Sequence, residues 1–462
     1  MNAPSEGIPL SEVIAALSSA LDITEGQPEG HAVRSCLIGM RVAREIGLGA
    51  DESSHLFYAI LLKDLGCSSN AARTCALFGA DDLEVKRSWK TTDWSSGWRA
   101  FLHVAHNVEP GASPLARARR VLAFATAGAV GNELVQTRCE RGADIARMLE
   151  LAEPTAEAIR GLDEHWDGSG KPAGLRGADI PLLARIASLA QTVDVFLTAF
   201  GRDAALEVAR ERSGRWFDPT LVRALECTRS DALFWERLHE PDLRAAVAAV
   251  EPADRILVAD EDRLDRIAEG FARVIDAKSP YTFRHSEGVA EYAVGAARVL
   301  GFDARELREL RRTALLHDIG KLGVSNLILD KPGRLTDEEM AVVRLHPEYT
   351  ERILGRVSRF RHLAWIAGAH HERMDGRGYH RGIPAGTLPV AARVLAVADV
   401  CEALSAVRPY RPALPREEVV RIMRAMVPTG LCPESFSALE SSLPPDRLPS
   451  SSPPATPDGI SG

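Results

Sequence analysis

The sequence feature that most constrains the fold is an internal repeat written at two constant offsets. At an offset of 254 residues, Leu10 meets Leu264, Asp22 meets Asp276, His31 meets His285, Gly47 meets Gly301, and Lys63-Asp64-Leu65-Gly66 meets His317-Asp318-Ile319-Gly320. Further on the offset is 208. There Glu164-His165-Trp166-Asp167-Gly168-Ser169-Gly170 meets Glu372-Arg373-Met374-Asp375-Gly376-Arg377-Gly378, Pro181 meets Pro389, and Arg185 meets Arg393. The change of offset marks an insertion of 46 residues in the first copy, between Gly66 and Arg138. A register kept across glycine, proline and charged positions is that of a tandem duplication, so one structural unit is expected twice.

Both copies read as helices. Leu10 to Leu21 and His31 to Ile46 are amphipathic at helical spacing. In the second copy helices are expected at about 263–276, 284–300, 303–319, 336–345, 347–356, 360–371, 391–406 and 415–427, with Gly320 as a left-handed helix terminator. Nothing in it reads as a sheet, so the fold class is all-α. Residues 203–250 are alanine-rich, punctuated by Pro219 and Pro241, and are read as a helical connector. The expected domains are 8–253 and 260–440. The Ser/Pro-rich stretch 441–462 lacks apolar periodicity and is expected to be disordered.

Composition removes several function classes. A net charge of −8 gives no general attraction for a nucleic acid polymer or an anionic membrane, so a phosphate ligand has to be held by local cations. No apolar run reads as a membrane span, and the start of the chain lacks the basic-then-apolar pattern of a secretory leader, so a cytoplasmic location is expected. The seven cysteines are scattered, with no CxxC pair, which argues against a disulfide framework and a zinc ribbon.

The duplication supplies an internal control for the polar residues. Where the second copy has His317, His346, His370, His371 and Asp399, the first has Lys63, Arg138, Leu162, Asp163 and Gln191; only His31 and Asp64 match His285 and Asp318. Helices and turns are kept while five potential ligands are lost together. That pattern points to a metal centre in the second copy and to a first copy whose centre has been retired, with His31 a hydrogen-bonded core residue. In the insertion, His103, His106 and the Trp89, Trp94, Trp98 group show no ligand spacing and are read as a packed aromatic patch. Five imidazoles and two carboxylates exceed what one metal can use. Without thiolates they suit iron or manganese, and zinc as well. If Asp318 bridges, one partition is His285, His317 and Asp399 on one ion and His346, His370 and His371 on the other. Two such ions stabilise both the attacking and the leaving oxygen of a phosphoryl displacement.

The segments HDIGK (317–321), HHERMDGRGYH (370–380) and ADVCEALSAVRPYR (398–411) resemble the HD-GYP domain, a branch of the HD metal-dependent phosphohydrolases. The resemblance covers roughly residues 260–445, and the first half resembles a degenerate copy with DEHWDGSGKPAGL in place of the signature. It implies tandem HD-type helical domains, two or three iron or manganese ions, and hydrolysis of cyclic di-GMP to linear pGpG or GMP. Carried over by position, it makes His285, His317, Asp318, His346, His370, His371 and Asp399 metal ligands and sets Lys321 on the scissile phosphate beside Asp318. It also brings Tyr379, Arg408 and Arg411 to the nucleotide.

Three departures bear on these expectations. Gly378-Tyr379 is followed by His380 where the signature has proline, which leaves the substrate loop free to take another shape. Tyr281 stands where trinuclear members carry a glutamate, so two metals are expected. Glu402 replaces the usual aspartate one turn after Asp399 and is a candidate partner for a ligand histidine. Two other functions fit the same residues: a cyclic dinucleotide sensor that binds without turnover, and an HD-type diiron oxygenase, against which Lys321 and the arginines count. A homodimer or a signalling-protein partner is compatible with either copy. In the first copy Lys63 and Arg138 place cations where a metal would sit, which predicts a scaffold or an anion sensor there.

Overall fold

The computed structural model describes residues 7–93, 97–109, 111–126, 128–407 and 411–443. The tail from 444, where disorder is expected, lies outside them, while 441 and 442 close the helix Pro433–Ser442. The fold is all-α. Among the described residues the only sheet is a two-residue antiparallel pair, Ile8 opposite Ala259 and Pro9 opposite Val258.

The chain divides into two compact units, Met1–Arg266 and Ile267–Gly462. The division falls inside helix Glu261–Asp276, later than the 253/260 boundary expected from sequence. The reason is local: residues 258–259 pair with 8–9, Arg263 donates to the Glu150 carbonyl, and Arg266 pairs with Glu150 at 2.8 Å, which ties the start of that helix to the first unit.

In the first unit, helices Leu10–Thr24, His31–Glu45, Ala50–Leu61 and Leu182–Phe200 pack around an apolar core that includes Leu17, Ile38, Phe57 and Ile186. Leu182–Phe200 is long and apolar enough to cross a membrane, although no such run was expected from sequence. It is mostly buried, and its Asp194 pairs with His31, as suits the core helix of a folded unit. The insertion contributes further helices, including Asp82–Thr91 and Gly97–Asn107. Its aromatic residues do not form one patch. Trp89 packs edge-on against Phe78 and His103, whereas Trp98 is 67% exposed and stacks on Phe101. Trp94 lies outside the described residues.

The second unit repeats the plan with helices His285–Val299, Ala304–Leu316, His346–Leu354, Arg361–Gly368 and Val390–Ser405. Ala304–Leu316 opens on a capping box in which Asp303 accepts from the Glu306 amide and the Glu306 side chain accepts from the Asp303 amide. It stops one turn earlier than expected, so that His317 sits at its cap and Asp318 just beyond. Gly320 lies in the short helical turn Ile319–Gly323 and is not among the positive-φ glycines, contrary to the sequence expectation. Its requirement is close approach: a Cβ there would stand 2.0 Å from the His346 carbonyl oxygen. Gly66 meets the Arg138 carbonyl in the same way, at 1.9 Å. In the first unit this contact sets Gly66 against the middle of helix Gly128–Met148, and in the second it sets Gly320 against the start of helix His346–Leu354, which brings His346 beside Asp318.

Candidate metal centre

Three of the imidazoles are aimed by one device. His317, His346 and His370 each follow the end of a helix, and each hydrogen-bonds through Nδ1 to the carbonyl three residues earlier: Ala314 at 2.7 Å, Val343 at 2.6 Å and Ala367 at 2.5 Å. Those carbonyls lack partners within their helices, and a carbonyl only accepts, so each Nδ1 carries the proton and each Nε2 presents a lone pair. His285 is oriented differently, through a short hydrogen bond from Nδ1 to Glu402. That contact places Glu402 behind a ring and not in the centre.

The resulting lone pairs converge on Asp318. Its Oδ2 faces His285 Nε2 at 3.3 Å and His317 Nε2 at 3.4 Å, while Oδ1 faces His346 Nε2 at 3.3 Å and His370 Nε2 at 3.6 Å. Asp399 Oδ1 stands 3.5 Å from His285 Nε2 and 3.7 Å from His317 Nε2, and its Oδ2 is 4.0 Å from His371 Nδ1. The side chains thus gather in two triads, His285 with His317 and Asp399, and His346 with His370 and His371, with one carboxylate between them.

These atoms fit a pair of cations. His317 Nε2 and Asp318 Oδ1 are buried with no hydrogen-bond partner, which costs about 1–3 kcal/mol for each such group unless something else satisfies it. His346 Nε2 and His370 Nε2 lie 3.1 Å apart, two lone pairs facing each other, an arrangement a cation relieves and a shared proton does not explain for four rings at once. The protonation states agree. Burial works against charge on Asp318 and Asp399, yet both carboxyls are held well below the usual range, Asp318 with the Lys321 ammonium beside it. Burial depresses His346 to about 4 and lowers His370, and takes His371 well below its ordinary value with help from the two neighbouring rings. Neutral imidazoles with ionised carboxylates are the ligating forms.

One side of the centre is open. The Lys321 side chain, 22% exposed, forms a short ion pair with Asp318, and the Tyr379 ring lies 4.6 Å from that of His371. Arg411 is placed otherwise than expected: its guanidinium donates to the carbonyls of Ala403, Leu404 and Pro412 and caps the helix Val390–Ser405. Arg408 lies outside the described residues.

The equivalent place in the first unit is filled by side chains. Lys63 forms a short ion pair with Asp64, Lys90 contacts Glu25 at 3.0 Å and Asp64 at 3.4 Å, Lys86 lies 3.6 Å from Glu25, and Arg138 pairs closely with Asp163. Glu25, Asp64 and Cys67 are near enough to resemble a ligand group, but these ammonium ions already occupy the two carboxylates. His31 Nδ1 meets Asp194 at 2.7 Å, the counterpart of His285 with Glu402, so this outer pair is kept where the other histidines are replaced.

Comparison with known proteins places this arrangement. A family model described as HD domain matches residues 120–221 and 269–431, more than half of the chain. The chain belongs to the HD domain family. Within it the chain is an HD-GYP protein. It is 44% identical over 448 residues, 96% of each chain, to the 3'3'-cGAMP-specific phosphodiesterase 3 of Vibrio cholerae. It is 39% identical over 155 residues to the cyclic di-GMP phosphodiesterase response regulator RpfG of Xanthomonas campestris, covering 33% of this chain and 41% of that one. A crystal structure of a cyclic GMP-AMP-specific phosphodiesterase of Vibrio cholerae superposes with a TM-score of 0.66 at 40% identity, over 95% of this chain and 99% of that one.

The HD-GYP signature loop has its own anchor. Glu372 accepts from the amides of Arg381, Gly382 and Ile383, as Glu164 does from Ala173 and Leu175 in the first unit. His380, in place of the signature proline, has φ +92, which the proline ring forbids, and its Nε2 contacts Glu351 at 2.8 Å. The loop of this HD-GYP unit therefore follows a path closed to the usual sequence. Sequence reasoning missed Glu351 and Arg381, which pair with each other, and Arg344, whose guanidinium covers the Tyr379 ring at 5.5 Å. Only the loss of Arg344 in the first copy, where Gln136 stands, could have flagged it.

Proposed function

We propose that this protein is a two-metal phosphodiesterase that opens a 3'3'-linked cyclic dinucleotide, with 3'3'-cyclic GMP-AMP preferred over cyclic di-GMP. The observation that carries the enzyme reading is the Asp318 carboxylate, one oxygen toward each pair of imidazoles. His285, His317 and Asp399 would hold one ion and His346, His370 and His371 the other, with Asp318 shared. Iron or manganese suits this donor set best. When bound, the pair of ions polarises water and offsets charge on the phosphodiester oxygens.

The chain's own residues do the rest. Helix-end carbonyls and Glu402 keep the imidazoles aimed. Lys321, partly exposed beside Asp318, places an ammonium where negative charge grows as water adds to phosphorus and the 3'-oxygen departs, taking up a proton to leave a linear dinucleotide. Tyr379 gives the open side an aromatic wall for the nucleotide.

The substrate preference is supported by likeness across both units to a protein named for 3'3'-cGAMP. Cyclic di-GMP, expected from sequence, is the second reading; it is favoured by RpfG and by the cyclic di-GMP phosphodiesterase of Thermotoga maritima, 34% identical over 188 residues. Hydrolysis of both dinucleotides by protein loaded with Mn(II) or Fe(II) tests the proposal. The expected kcat/KM is at least about tenfold higher for 3'3'-cGAMP. The reverse preference would move the assignment to cyclic di-GMP, and binding without turnover by metal-loaded protein would make the unit a sensor.

A further inference from the structure

Among the described residues, Arg344 is a strong cation at the open side of the centre that neither the sequence reading nor the ligand geometry uses. It caps helix Asp337–Val343, its amide bonded to the Met340 carbonyl at 2.9 Å, so its backbone is fixed by the last helical turn. The neighbouring Val343 carbonyl is the one that aims His346. A single turn therefore orients a candidate ligand and, two residues before it, displays a guanidinium.

The placement of that guanidinium is specific. Its carbon lies 5.5 Å from the centre of the Tyr379 ring, which in turn lies 4.6 Å from the His371 ring. No carboxylate among the described residues pairs with Arg344, and the residue is exposed. Stacking on an aromatic face engages the plane of a guanidinium and leaves its N–H edge for an acceptor, and a phosphate meets such an edge with two parallel hydrogen bonds. The duplicated unit adds independent support. At the matching positions it has Gln136 for Arg344, Lys171 for Tyr379 and Asp163 for His371, so cation, ring and ligand are lost together.

Resting on the phosphodiesterase reading, we infer that Arg344 binds the second, non-scissile phosphate of the cyclic dinucleotide. The substrate carries two phosphodiesters across one macrocycle, and the metals and Lys321 engage the one being cut. The other would face outward past Tyr379, where Arg344 supplies a stacked guanidinium fork. Arg344 thereby selects a doubly charged cyclic substrate over a simple diester.

The test is steady-state hydrolysis by the full-length Mn(II)-loaded protein, wild type against Arg344→Ala and Arg344→Lys. The substrates are 3'3'-cGAMP, cyclic di-GMP and bis(p-nitrophenyl) phosphate, which has a single phosphate. For the better cyclic dinucleotide, Arg344→Ala is expected to raise KM about tenfold with kcat within about threefold, since it removes binding and not chemistry. Arg344→Lys is expected to recover part of the loss, and KM for the single-phosphate diester to move less than about twofold. An unchanged KM for the cyclic dinucleotide, or an equal rise for both kinds of substrate, overturns the assignment of Arg344 while leaving the phosphodiesterase reading intact. Wild-type protein that cuts the simple diester and neither dinucleotide overturns the substrate reading itself, and the assignment with it.

Discussion

Asp64 and Asp318 stand at the same helix end in the two units, and they have opposite partners. Asp318 looks out on four imidazole nitrogens that carry lone pairs, whereas Asp64 is held by the ammonium groups of Lys63 and Lys90. The same backbone plan, with the same glycine contact and the same outer histidine–carboxylate pair, thus carries either a candidate ligand set or a closed salt-bridge network. In this fold the buried carboxylate is the fixed demand, and the cation that answers it is the variable.

The two units should differ most in their response to loss of this aspartate. Asp318→Ala removes the only carboxylate shared by both triads, and turnover is expected to fall by more than about a thousandfold, with most bound metal lost, read by assay and metal analysis. Lys321→Ala separates substrate from metal. It is expected to lower kcat by about ten- to a hundredfold with metal content kept, and equal metal depletion would contradict this division of roles. Glu402→Gln weakens the support behind His285 and is expected to lower metal affinity about tenfold, measured by competition with a chelator.

The smallest effect on activity belongs to the first unit. Asp64→Ala strands Lys63 in a buried site and is expected to destabilise that unit by about 3–5 kcal/mol in denaturant unfolding, with metal content unchanged. The same network has a pH signature. Burial resists charge on Glu25, but Lys90 and Lys86 outweigh it and hold the carboxyl at about 2. A depressed carboxyl contributes stability that is complete above its ordinary value of 4.5 and is lost as pH falls toward 2, so the first unit is expected to melt earlier across that window. A thermal scan that does not change between pH 5 and pH 3 would show that the network adds no such stability.

The repeat and the candidate ligand set are legible because both are written in residue identity. Glycine, proline and aspartate keep their register for reasons of backbone geometry, and the imidazoles vanish together from the copy that does not need them. Much of the rest depends on where the backbone goes. Gly320 looked like a helix terminator, but what fixes it is the His346 carbonyl against it, a contact between residues 26 apart in sequence. Arg411 looked like a phosphate fork and instead satisfies helix-end carbonyls eight and seven residues back. Arg344 has no motif at all, and its interest arises only when Tyr379 folds beneath it. Likewise the devices that aim His317, His346 and His370 use main-chain carbonyls, which every residue has and no sequence pattern singles out.

Metal stoichiometry tests the central claim most directly. Full-length protein purified without oxygen, loaded with Mn(II) or Fe(II) and freed of excess metal, is compared with its Asp318→Ala and Asp64→Ala variants by elemental analysis per chain. About two ions are expected in the wild type, about two in Asp64→Ala, and well under one in Asp318→Ala. A wild type holding four ions, or metal lost from Asp64→Ala but kept by Asp318→Ala, would contradict that claim.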